Sequence, residues 1–260
     1  MRAVGSLWRR EVIRFLRQRS RVVGALAQPV VFWLLLGGGL SGAFQPSEAD
    51  AGTSYLEYLY PGILVLVLLF TAIFATIAVV EDRRAGFLQG VLVAPVGRSA
   101  IVLGQALGGT TLAVVQGSLL LLLAPLAGLR LDAAGVVAAI AVMTVVAFAL
   151  TNLGLVIAWR MESTQGFHAI MNLILMPIWL LSGAFFPLAS AAAPLAWVMR
   201  IDPLTYGLAA LRRCLVPGAA GVPPLLPSLA VTLAFAAASH AAAVATARRS
   251  AFLGRAAPPA

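Results

Sequence analysis

An all-α integral membrane protein with six transmembrane helices is the fold this sequence predicts, and three observations predict it. Apolar residues make up 61% of the 260-residue chain and charged residues only 10%, with a mean hydropathy of +0.98, far from the make-up of a water-soluble domain. Six uncharged stretches are each long enough to cross a bilayer, which takes about 20 apolar residues because each buried backbone group must find its partner within its own helix. The arginines, finally, fall on alternate loops.

The first element, residues 1–21, is polar but ordered. Arg10, Arg14, Arg17 and Arg21 fall on one helical stripe, and Val4, Trp8, Val12, Phe15 and Leu16 gather on the other side. This pattern predicts an amphipathic helix lying at the membrane surface. It is too long for the charged region of a cleaved leader, so the first apolar run is expected to be retained.

The transmembrane region, 22–247, holds the six spans: Val22 to Leu40, Tyr58 to Val80, Ser99 to Leu126, Ala133 to Trp159, Phe167 to Phe186 and Leu225 to Ala247; none contains Asp, Glu, Arg or Lys. Arg2, Arg9, Arg10, Arg14, Arg17, Arg19 and Arg21 precede the first span, Arg83, Arg84 and Arg98 follow the second, Arg160 the fourth, and Arg248, Arg249 and Arg255 the sixth. Fourteen of the eighteen basic residues thus lie on one side, which places both termini in the cytoplasm. The first outer loop, with Glu48, Asp50 and Glu57 and no Arg, fits the opposite side.

Two segments between spans are irregular. Residues 81–98 carry charges at their start, apolar residues in their middle and a Pro-Gly stop, as expected of a short surface element that faces a soluble partner. Residues 187–224 are too Pro-rich to span and too apolar for a free loop. Two short helices are expected there, over Pro194 to Met199 and Pro203 to Arg212, dipping back into the outer leaflet. The tail, 248–260, is cytoplasmic.

Composition also excludes chemistry. All eighteen basic residues are Arg, and they sit in short patches beside apolar spans, where anionic headgroups attract them, so nucleic acid is not expected as a partner. Cys214 is alone, and His168 and His240 lie far apart in apolar context, which predicts packed or interfacial histidines and no metal site. The spans lack the carboxylates with which ion-coupled carriers bind their driving ion. A phosphate-binding loop needs a Lys, and the chain has none, so ATP cannot be hydrolysed here. With no His-Glu-x-x-His motif and no Gly-x-Ser-x-Gly elbow, the chain is expected not to be an enzyme.

Three motifs carry a resemblance. Residues 81–98, Glu81-Asp82-Arg83-Arg84-Ala85-Gly86-Phe87-Leu88 running into Val91-Leu92-Val93-Ala94-Pro95-Val96-Gly97-Arg98, are similar to a Glu-Arg-x-x-Gly-Thr-x-x-x-Leu-Leu-x-Thr-Pro-x-Ser-Arg loop, with Phe87 for the usual Thr and Gly97 for the usual Ser. Leu181-Ser182-Gly183-Ala184-Phe185-Phe186-Pro187 ends span five. Asp202-Pro203-Leu204-Thr205-Tyr206-Gly207-Leu208-Ala209-Ala210-Leu211-Arg212 precedes span six, where Asn-Pro-Leu-Thr-Tyr is usual. With these the chain resembles, over essentially its whole length, the membrane-spanning subunit of ABC-2 type transporters, a family that includes bacterial drug, antibiotic and lipo-oligosaccharide exporters.

The resemblance implies an ABC-2 permease fold in which residues 1–21 are a connecting helix, 81–98 a coupling helix and 187–224 re-entrant. It implies a bacterial plasma-membrane protein whose second copy, a homodimer mate by expectation, pairs with it and with two ATPase subunits that bind ATP and Mg, none being bound by this chain. Carried over by position, Glu81, Arg84, Gly86, Leu88, Leu92, Pro95 and Arg98 form the ATPase-coupling site. Glu81 and Arg84 would pair within a helix or with the connecting helix, Gly86 would permit close approach, Leu88 and Leu92 would pack, and Pro95 would end the element. Spans two and five line the path in this family, which makes Phe70, Phe74, Asn172, Met176 and Trp179 the candidates for contact with cargo. Aromatic and Met side chains suit an amphiphile, so export of a hydrophobic or amphiphilic small molecule is the leading expectation, with glycan or lipid-linked glycan export and ion-coupled transport as alternatives. Gly104 and Gly108, a Gly-x-x-x-Gly pair, are expected to pack against a neighbouring helix.

Overall fold

The structure is a computed structural model and describes residues 2–17, 19–39, 54–88, 90, 96–216, 218–219 and 221–253. Among these there is no strand. The helices are α1 (Arg2–Arg17), α2 (Arg19–Gly39), α3 (Tyr55–Arg84), α4 (Arg98–Leu121), α5 (Ala133–Ala158), α6 (Thr164–Trp179), α7 (Ala193–Ile201), α8 (Pro203–Leu215) and α9 (Leu225–Leu253).

Among the described residues, five helical stretches are long and apolar enough to cross a membrane: Tyr55–Arg84, Arg98–Leu121, Ala133–Ala158, Thr164–Ala184 and Leu225–Arg249. Among the described residues, the apolar stretch of α2 is Ala27–Gly39, within the first expected span and with Pro29 inside the helix.

Helix α3 is the centre of the bundle. Its run from Tyr58 to Val80 is apolar all round, and such a helix is satisfied only when neighbours cover every side; α5, α4, α2 and α6 do so. Small residues let them come close, as expected where lipid offers no hydrophobic drive for helix association. A Cβ at Gly154 of α5 would lie 2.7 Å from the Thr76 hydroxyl of α3, and one at Gly62 of α3 would lie 2.8 Å from the Ala184 Cβ. Two polar pairs join helices inside the bundle: Thr71 of α3 donates to Gln116 of α4, and His240 Nδ1 of α9 lies 2.9 Å from Asn152 Oδ1 of α5.

The end of span five is not a plain helix. After Trp179 the chain widens into a π turn, Leu180–Ala184, in which Gly183 has φ 87°. That left-handed residue aims its carbonyl at the bundle, where it accepts hydrogen bonds from the Tyr58 hydroxyl (3.0 Å) and from Arg212 Nη2 (3.4 Å). The Arg212 guanidinium also stacks 4.1 Å from the Tyr58 ring and donates to the Tyr58 carbonyl at 3.1 Å. Two motifs distant in sequence, Leu181 to Pro187 and Asp202 to Arg212, are therefore joined at the Tyr58 end of α3.

Helices α7 and α8 fall where two short outer helices were expected. Pro194 and Pro203 occupy first-turn positions, where the missing N–H costs nothing. Asp202 caps α8, its Oδ1 accepting from the Leu204 N–H at 2.9 Å.

Candidate functional site: the junction of α1 with α3 and the cavity beside it

The site begins with how α1 is held. Its Val4, Leu7, Trp8 and Glu11 face lies on Gly104 and Gly108 of α4: a Cβ at Gly104 would sit 2.8 Å from the Leu7 Cβ, and one at Gly108 would sit 2.7 Å from the Glu11 Cβ. Trp8 Nε1 adds a 3.0 Å hydrogen bond to the Thr111 hydroxyl. The neighbour expected for the glycine pair is thus the amphipathic helix itself. Helix α1 ends at Arg17, and Arg19 already opens α2.

This contact turns Arg10 and Arg14 toward the end of α3. Arg10 grips Asp82 with both terminal nitrogens, at 2.7 Å each, and donates to Glu11 at 3.0 Å. Arg14 divides its donors between Asp82 (2.8 Å) and Glu81 (2.5 Å). Arg10 also lies 4.0 Å over the Phe87 ring. Bidentate, charge-assisted pairs of this kind are directional as well as strong. The Asp82 side chain is only 6% exposed, so the pair is sheltered from the screening that makes surface ion pairs weak. Burial raises the Glu11 carboxyl above its ordinary range, with Arg10 opposing; the hydrogen bond to Asp82 raises Arg10 against its own burial.

The two arginines that follow in α3 face the other way. Arg83 donates to the backbone carbonyls of Trp159 (2.6 Å) and Met161 (3.1 Å), and Arg84 Nε donates to the Glu162 carbonyl at 2.8 Å. The four residues Glu81 to Arg84 therefore join three parts of the chain: the acids hold α1, and the arginines hold the loop between α5 and α6.

The expected coupling residues divide accordingly. Glu81 is paired with Arg14 of α1, and Arg84 is bonded to the loop after α5. Gly86 has φ 73°, and its N–H reaches back to the Arg83 carbonyl at 3.2 Å, so it stops α3. Leu88 is buried in the core, Phe87 is exposed, and Arg98 is a half-buried residue opening α4. Gly97 is the N-cap of α4 without a side chain to bond the first turn, a loss of a few tenths of a kcal/mol against Ser. Leu92 and Pro95 lie outside the described residues.

A cavity of about 250 Å³ adjoins this junction, in the half of α3 nearer Arg84, and is lined by residues that include Phe15 of α1, Gln28 of α2, Phe70, Thr71 and Phe74 of α3, and His168 of α6. Phe70 and Phe74 stack with centroids 5.3 Å apart, and Phe74 meets His168 at the same distance. Two of the five expected path residues, Phe70 and Phe74, are brought together here. Asn172 and Met176 follow His168 at four-residue intervals on one stripe of α6, exposed and half-buried respectively. Trp179 belongs to the other stripe, with Phe167, Met171 and Leu175; it is 1% exposed, and its indole N–H donates to the Gly62 carbonyl at 2.8 Å. It fastens α6 to α3.

Sequence reasoning missed His168 as a lining residue, since a lone histidine in apolar context reads as packing. Its i+4 relation to Asn172 was the available signal. It also missed Arg10 and Arg14 as partners of Glu81 and Asp82.

Comparison with known proteins identifies the family. The sequence pattern of the ABC-2 type transporter family matches residues 2–216. The chain is 24% identical over 208 residues to the putative transport permease ycf38 of Cyanophora paradoxa, covering 79% of this chain and 71% of that one. It is 26% identical over 212 residues to Nodulation protein J of Rhizobium meliloti (strain 1021), covering 80% and 79%. With ABC transporter G family member 20 of Dictyostelium discoideum the identity is 31% over 172 residues, 65% of this chain and 23% of that protein. The match over most of its length, with the helical bundle that carries it, means that the chain belongs to the ABC-2 type transporter family.

Proposed function

We propose that this chain is the permease subunit of an ATP-driven exporter, that two copies pair with two ATPase subunits in a bacterial plasma membrane, and that both termini are cytoplasmic. The cargo is a hydrophobic or amphiphilic small molecule. The observation that carries this reading is the shared wall between junction and cavity. Phe15 lines the cavity and is the residue next to Arg14, which holds Glu81 and Asp82. A push on the loop after α3 would reach the cavity through α1 and α3 without any intervening flexible part, as rigid-body switching requires. The lining suits the cargo class: stacked phenyl rings supply adaptable apolar area, and Gln28, Thr71 and His168 supply the few polar groups that orient a bound molecule. The volume is slightly below that of a typical drug-sized site, which fits one ring system or acyl segment of a larger amphiphile.

The test uses inside-out vesicles that contain the permease with its ATPase and a fluorescent aromatic amphiphile. ATP-dependent accumulation is expected, lost in Glu81→Ala and reduced in Phe74→Ala while both variants still insert. Accumulation driven by an ion gradient without any ATPase, or an unchanged rate in Glu81→Ala, would contradict the proposal.

A further inference from the structure

The loop between α5 and α6 is short, running from Trp159 to Ser163, and two of α3's side chains fasten it at three carbonyls. Arg83 spans Trp159 and Met161, and Arg84 takes Glu162. These carbonyls lie just past the last turn of α5, where backbone acceptors lack helical partners and a cation is favoured by the helix dipole. Trp159, 1% exposed, also has the Arg83 guanidinium 6.0 Å from its ring. On the far side of the loop the Ser163 hydroxyl caps α6 by accepting from the Gly166 N–H at 3.3 Å. His168, which lines the cavity, follows within the next two turns of α6.

We infer that Arg83 is a positioning residue that carries movement of α3's inner end to the first turns of α6, so that the walls of the cavity contributed by the two helices shift together. This rests on the reading that a partner ATPase moves the loop after α3. The physical reason is the form of the contact. A guanidinium bonded to two carbonyls of one loop resists both translation and rotation, whereas the ammonium of a Lys is a point donor on a flexible stem. The backbone on the receiving side has little slack, because five residues separate the end of α5 from the first residue of α6. Without Arg83 the loop would lose two of the three bonds that α3 makes to its carbonyls, and movement of α3's end would reach the first turns of α6 less directly.

The experiment is hydrogen–deuterium exchange on the permease–ATPase complex, with and without a non-hydrolysable ATP analogue, read at residues 81–88 and 159–170, together with ATP hydrolysis and vesicle transport of the fluorescent amphiphile. In the unaltered complex the nucleotide is expected to change exchange in both segments. In Arg83→Ala, segment 81–88 should still respond and 159–170 should not, with transport reduced about tenfold, as a coupling loss of this kind allows, and hydrolysis by the ATPase within about twofold. Arg83→Lys, which keeps the charge and guards against misfolding, should give an intermediate loss. A normal nucleotide response at 159–170 in Arg83→Ala, or full transport in Arg83→Lys, would overturn the inference and leave the reading of the loop intact. Silence at 81–88 in the unaltered complex would overturn both.

Discussion

Replacing Asp82 by Asn removes one charge from the junction and changes little else. The carboxylate accepts three charge-assisted hydrogen bonds, at 2.7, 2.7 and 2.8 Å. An Asn offers one acceptor oxygen and turns an NH2 group toward a guanidinium, so at least one bond is lost and those that remain lose the carboxylate's charge and keep only that of the arginine. A hydrogen bond to a charged group contributes about 1.5–3 kcal/mol and a neutral one about 0.5–1.5. The side chains of Arg10 and Arg14 are 31% and 26% exposed and retain Glu11 and Glu81. The loss therefore falls short of the roughly 3–5 kcal/mol expected when a fully buried pair is broken outright. A cost of about 2–3 kcal/mol to the docking of α1 follows, which would speed local opening by about 30- to 150-fold. Hydrogen–deuterium exchange of peptides covering Ala3 to Arg17, in lipid nanodiscs, measures that opening. An acceleration below about threefold would refute the argument that Asp82 anchors the helix.

Asp202 gives a pH-dependent prediction. Burial pushes its carboxyl up to about 7, partly opposed by the Leu204 N–H, and Oδ2 is buried without a hydrogen-bond partner. The folded value lies above the unfolded one, so the folded chain retains a proton that the unfolded chain releases; the stability this contributes is complete below about pH 4 and is lost as pH rises toward about 7. Asp202→Asn keeps the acceptor for Leu204, so the fall in Tm between about pH 4 and 7 should flatten; an unchanged slope would contradict it. Gly108→Leu drives a side chain into Glu11, whose Cβ would be 2.7 Å from the new Cβ; overpacking of this kind costs about 1–3 kcal/mol. It should loosen α1 in the same exchange measurement, whereas Gly5→Ala, with nothing within 4 Å of its new Cβ, should not.

What could be read from the sequence follows from which interactions leave a local trace. The amphipathic α1, the apolar α3 and the prolines that open α7 and α8 were legible, because periodicity, length and first-turn proline are properties of one segment. The glycine pair Gly104 and Gly108 declared a close helix contact without naming its mate. Partners were harder. The arginine stripe of α1 suggested lipid headgroups, yet Arg10 and Arg14 meet carboxylates about seventy residues away in sequence, a pairing that charge pattern alone does not specify. Glu11 gave no hint that it would be buried, since its neighbour is the bare backbone of Gly108. The π turn at Gly183 was hidden for a related reason: the apolar run is continued through Phe186, and the partners of the Gly183 carbonyl, Tyr58 and Arg212, are distant in sequence. At the candidate site, α3's ends were visible in Glu81 to Arg84, but the division of acids to α1 and arginines to the α5–α6 loop emerges only once three segments are folded together.

Whether the inner end of α3 is where a separate ATPase takes hold can be measured directly. A photoreactive benzoylphenylalanine at position 87, where Phe87 is 44% exposed beneath Arg10, is illuminated in membranes that contain the permease with its ATPase. The account predicts a cross-linked product of permease plus ATPase subunit that weakens when Glu81 is also replaced by Ala. Cross-links confined to lipid or to the permease itself, in membranes where the ATPase is present and transport is active, would contradict it.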